Sequence, residues 1–69
     1  MDNKVKIRTE FIKLDQLLKF SGAVAIGSDA KQLILDGQVS VNGEVCLMRG
    51  KKIRPGDIVT INGNEIVVE

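Results

Sequence analysis

At Gly37 the spacing of apolar residues changes from helical to alternating, and this switch limits the chain to a pair of helices followed by a small sheet. Before it, Leu14, Leu17, Leu18 and Ser21 share one helical stripe in the run Lys13 to Gly22, with Gly22 as a C-terminal stop. A short apolar connection, Ala23 to Ile26, leads to Ser28, whose hydroxyl can cap a second helix. Asp29 in that helix's first turn suits the helix dipole. Ala30, Leu33, Ile34 and Gly37 line one face, so the two helices should pack as a hairpin or corner.

Beyond the switch, Val39-Ser40-Val41 and Val45-Cys46-Leu47 flank Asn42-Gly43-Glu44. Asn-Gly accepts the positive φ of a type I′ turn, so this is a β-hairpin. Pro55-Gly56-Asp57 forms a turn, Ile58 to Ile61 a strand, Asn62-Gly63 a second hairpin turn, and residues 65–69 the returning strand. Val5 and Ile7 alternate with Lys4, Lys6 and Arg8, which predicts an N-terminal strand with a cationic outer face. That strand is the natural neighbour of the last one. Cys46 reads as a small apolar side chain buried in its strand.

With 69 residues there is room for one domain near the lower size limit for independent folding. No apolar run approaches the ~20 residues of a membrane span, and the N-terminus lacks a secretion signal. A lone cysteine fits a reducing compartment, so a cytoplasmic protein is expected. Absence of histidine, with only Cys46 as a thiol, leaves too few ligands for the usual zinc sites and no base to activate a serine or cysteine. The acids Asp15, Asp29, Asp36, Glu44 and Asp57 lie on separate elements. Six residues separate Gly43 from Gly50 where a phosphate-binding loop requires four, and Lys52 stands where the magnesium-holding Ser or Thr would be. A non-enzymatic protein without metal or cofactor follows.

The net charge of +1 says little, but its distribution says more. Residues 49–54 carry four cations and no acid, whereas residues 57–69 carry Asp57, Glu65 and Glu69 and no cation. Such a molecule should be electrically two-sided. Phe11 and Phe20 are the only aromatics, which disfavours base-stacking single-strand recognition and points any nucleic-acid contact toward backbone and shape.

Three runs carry a family resemblance: Lys13-Leu14-Asp15 with Leu18; Ser28-Asp29-Ala30-Lys31-Gln32-Leu33-Ile34 with Gly37, Val39, Val41, Asn42 and Gly43; and Lys52-Ile53-Arg54-Pro55-Gly56-Asp57 with Val59. Together they resemble the RNA-binding domain named after ribosomal small-subunit protein S-four, over about residues 11–63. Leu17-Leu18-Lys19, Ala30-Lys31 and the Arg49 to Lys52 stretch are similar to its free-standing, single-domain bacterial members. The chain departs from many members at Asp29, where they carry arginine. The resemblance implies an α+β fold with an alpha-L motif, two short packed helices followed by a small antiparallel, hairpin-rich β-sheet. It also implies binding of structured ribosomal or transfer RNA, with ribosome association; a monomer is the expected state.

Carried over residue by residue, the RNA contacts expected are Lys13, Lys31, Arg49, Lys51 and Lys52, with Lys19 and Arg54 as weaker candidates. Long cations neutralise phosphates and release counterions. Most have a plainer explanation. Lys19 could pair with Asp15 on the helix surface, Lys31 could cover the core with its methylenes, and the lysines of 49–54 could guard a sheet edge. Four cations without an acid exceed what edge protection needs. Lys4, Lys6 and Arg8 fall outside the motif and read as solvated surface. The rival reading is a protein-interaction adaptor that docks through Ala23 to Ile26 or an open sheet edge.

Overall fold

A computed structural model describes residues 2–69. Strand β1 (Asp2–Val5) is followed by β2 (Ile12–Lys13), helices α1 (Leu14–Phe20) and α2 (Gly27–Leu35), and strands β3 (Val39–Val41), β4 (Glu44–Val45), β5 (Lys52–Ile53), β6 (Ile58–Ile61) and β7 (Asn64–Val68). The helix-then-sheet order expected from the change in periodicity is the order observed.

Both helices end in the same way. After α1, the Ala23 and Gly22 N–H groups donate to the Leu18 and Lys19 carbonyls, with Gly22 at φ +83°. After α2, the Gln38 and Gly37 N–H groups donate to the Leu33 and Ile34 carbonyls, with Gly37 at φ +76°. These paired bonds are Schellman motifs, and they satisfy carbonyls that a helix end otherwise leaves open. The start of α2 differs from expectation. Ile26, in extended conformation, is the N-cap, no side chain caps it, and Ser28 already lies within the first turn.

The stripe Leu14, Leu17 and Leu18 is fully buried, as are Ala30 and Ile34 of α2. They meet the inward side chains of the strands, Val39, Val59, Ile66 and Val68, all at 0–1% exposure. Burying one such aliphatic side chain stabilises the fold by about 1.5–3 kcal/mol. Period-two alternation in β6 and β7 thus assigns one face to this core and the other to solvent.

The main sheet runs β1-β7-β6-β3-β4. Asn42 and Gly43 (φ 52° and 87°) turn β3 into β4, and Asn62 and Gly63 (φ 49° and 83°) turn β6 into β7, both with the left-handed backbone of type I′ turns. Three refinements of the sequence reading emerge. The N-terminal strand joins β7 as expected but runs parallel to it, so the sheet is mixed rather than wholly antiparallel. That strand also stops at Val5; beyond it the Ile7 N–H donates to the Glu69 carbonyl (2.9 Å), and Ile7 packs part-buried against the core. In the first hairpin the second strand ends at Val45; the Cys46 N–H still bonds the Val39 carbonyl at 3.0 Å, but Cys46 is only partly buried and Leu47 is exposed.

Candidate nucleic-acid interface

The strands β2 and β5 form a separate two-stranded ladder in which Ile12 faces Ile53 and Lys13 faces Lys52. Ile53 points inward at 0% exposure, which turns Lys13 and Lys52 outward on the opposite face. The ladder leads directly into α1. Residues 48–51 make a turn closed by the Lys51 N–H on the Met48 carbonyl (3.3 Å). The Lys51 carbonyl accepts the Leu14 N–H at 2.9 Å, and the Arg49 carbonyl accepts the Asp15 N–H at 3.1 Å. Two N–H groups that a helix start leaves open therefore clamp the basic turn onto α1. No side chain caps that helix, because the turn's carbonyls do.

This docking gathers Lys13, Arg49, Lys51 and Lys52 from two distant segments, and all four are exposed. Arg54 adjoins them: with Met48, Gly50, Lys51, Lys52 and Asp57 it lines an open depression beside the ladder. Lys19 and Lys31 stand exposed on α1 and α2, outside the bonds that assemble this cluster. The Asp15 carboxylate, the expected partner of Lys19, accepts the Gln16 N–H at 2.7 Å.

Asp57 corrects the picture of fully segregated charge, since it sits among the cations. Its carboxylate accepts the Arg54 N–H at 2.8 Å and the Asn42 side-chain amide at 3.1 Å. Asn42 in turn accepts the Ile58 N–H at 2.9 Å through its side-chain oxygen. The Asn-Gly and Pro-Gly-Asp motifs are thus two halves of one latch between the first hairpin turn and the end of the basic segment. The Arg54 N–H is the main cause holding the Asp57 carboxyl below its ordinary pKa; partial burial opposes this, while Asn42 and then the charges of Lys51 and Arg54 assist it.

Phe11 is a contact the sequence reading did not assign. The Lys52 ammonium lies over its ring, 5.0 Å from the centroid, a cation–π arrangement. Among the described residues, no three His, Cys, Asp or Glu side chains group closely enough to hold a metal ion.

Residues 5–69 match the family model of the S4 domain. The chain belongs to the S4 domain family. It is similar to the "Probable ribosome maturation protein RlbA" of Bacillus subtilis (strain 168), 40% identical over 63 residues that cover 91% of this chain and 89% of that protein. Among solved structures, it is similar to the solution structure of YbcJ from E. coli, described as revealing an alpha-L motif involved in RNA binding. That likeness has a TM-score of 0.73 and 32% identity, and covers 94% of this chain and 84% of YbcJ. The S4 assignment agrees with the α+β fold and the alpha-L motif expected from the sequence.

Proposed function

We propose that this chain acts as a single S4 domain that binds structured RNA, ribosomal or transfer-RNA-like, without catalysis. The observation that carries the reading is the docking of the 48–51 turn onto α1, which collects Lys13, Arg49, Lys51 and Lys52 into one exposed group with Arg54 at its border. Long cations presented together from separate segments suit the phosphates of a folded RNA. Two relatives, RlbA described as a probable ribosome maturation protein and YbcJ as carrying a motif involved in RNA binding, support an RNA partner and a ribosome-associated role, for which a cytoplasmic location is the fitting one. We assign Lys19 and Lys31, exposed on α1 and α2, to the same RNA contact. Among the described residues no helix is long and apolar enough to cross a membrane.

Titration of folded ribosomal and transfer RNA fragments at several salt concentrations tests the reading. Three to four neutralised phosphates give a slope of log K against log salt of about −2 to −4. A slope near zero, or no binding at low salt, refutes it.

A further inference from the structure

The geometry points to a defined phosphate seat: Lys13 and Lys52 hold a single phosphodiester of the RNA between them, and Phe11 is the positioning residue that fixes Lys52 for the task. This inference rests on the RNA-binding reading and adds which group is held, by which pair, and how the pair is set.

The ladder's hydrogen bonds define the spacing. The Leu14 N–H donates to the Lys51 carbonyl, so residues 14 and 51 form a hydrogen-bonded pair of the antiparallel ladder. Pairs alternate along such a ladder, which makes Lys13 and Lys52 a non-hydrogen-bonded pair, the kind whose side chains approach more closely. Their Cβ atoms then lie about 4.5–5.5 Å apart on the same face. Two like charges in that relation destabilise a bare protein. A tetrahedral anion between the ammonium groups reverses the sign of that interaction, since each lysine then faces a negative oxygen instead of the other cation.

Phe11 lies two residues before Lys13 and so shares its face of the extended chain. Its ring beneath the Lys52 ammonium offers a weak attraction that holds the side chain in place while leaving the charge free to meet a phosphate. The nearest carboxylate in sequence, Asp15, is turned to the Gln16 N–H, and the next cations, Arg49 and Lys51, flank the seat through the docked turn. Neither lysine is buried, so a phosphate reaches both from solvent.

The test combines salt slopes with a mutant cycle, using the full chain and a folded ribosomal RNA fragment that the wild-type protein binds. Lys13→Met and Lys52→Met together should reduce the salt slope by about one, because they serve one phosphate. A reduction of about two shows separate phosphates and overturns the shared seat. Phe11→Leu should weaken binding about 2–5-fold in the wild-type background, the size of an exposed cation–π contact, and have no effect where Lys52 is already methionine. Phe11→Tyr, which keeps the ring, should bind as wild type. An equal loss from Phe11→Leu in both backgrounds would show that Phe11 serves the fold or meets RNA itself, and the positioning role fails. Thermal melting checks that each variant is folded. At low salt without RNA, Lys13→Met should melt higher than wild type through relief of the facing charges; a lower melting point contradicts the repulsion. Failure of the wild type to show any salt slope would instead condemn the RNA reading itself.

Discussion

Replacing Asp57 with asparagine changes almost no volume and removes the carboxylate that ties the Asn42-Gly43 turn to the Arg54-Pro55-Gly56-Asp57 turn. In the native fold its two oxygens accept from two donors, the Arg54 N–H at 2.8 Å and the Asn42 amide at 3.1 Å. Asparagine has one oxygen and one amide, so one of those donors must face another donor. Loss of a hydrogen bond to a charged acceptor costs about 1.5–3 kcal/mol, and the partly exposed site puts the expectation near the lower part of that range. For a domain of this size, about 2 kcal/mol lowers Tm by roughly 8–16 °C. Acid should matter too. The folded-state pKa of Asp57 is depressed, so its stabilisation is complete above the unfolded-state value near pH ~4 and is lost as pH falls through the lowered folded-state value. Thermal melts followed by circular dichroism at pH 7 and at pH 3 read both effects. The wild type should lose more stability between those two pH values than Asp57→Asn does. An unchanged Tm at pH 7, with a pH dependence identical to wild type, would refute the latch.

Three further outcomes follow from the same structure. Leu17→Ala removes a side chain at 0% exposure and should cost about 2–5 kcal/mol, enough to leave much of the protein unfolded in a urea titration at room temperature. Gly43→Ala meets no atom within 4 Å, yet φ is +87°, so it should destabilise by about 1 kcal/mol through backbone conformation alone, measured by the shift in urea midpoint. Reversing Lys31, Arg49 and Lys52 to glutamate should abolish RNA binding in a filter or fluorescence assay while the circular dichroism spectrum stays native, because all three are exposed.

Much of the fold was legible because local signals agreed with the tertiary answer. Asn42-Gly43 and Asn62-Gly63 needed no long-range information, since the turn backbone is dictated by the residues themselves. The leucine stripe of α1 and the alternation of β6 and β7 were equally direct. What escaped was set by distant partners. A two-residue strand has no period, so the pairing of Ile12 and Lys13 with Ile53 and Lys52 could not be read from either segment alone. The capping of α2 by Ser28 failed because the extended Ile26 is the N-cap, two residues earlier. The direction of β1 depended on where the chain crosses the sheet, which the side-chain pattern of Lys4 to Arg8 does not encode.

The same distinction holds for the surface. That residues 49–54 are rich in cations is plain in the sequence; that Lys13 joins them is a consequence of two backbone hydrogen bonds at the start of α1. Phe11, one of only two aromatics, gave no sign of its place under Lys52, because a diagonal contact across a ladder needs the register first. Asn42 and Asp57 belonged to motifs that turn geometry seemed to explain fully, and only the fold shows that they bond one another.

The central claim is that the face built from β2, β5 and the turn at residues 48–51 is where RNA lies, and backbone amide chemical-shift mapping during titration with a folded ribosomal RNA fragment tests it most directly. The largest changes should fall on Lys13, Arg49, Gly50, Lys51 and Lys52, with Asn62 to Asn64 at the tip of the β6–β7 hairpin unmoved. Changes centred on that hairpin tip, with Arg49 to Lys52 silent, would contradict the account.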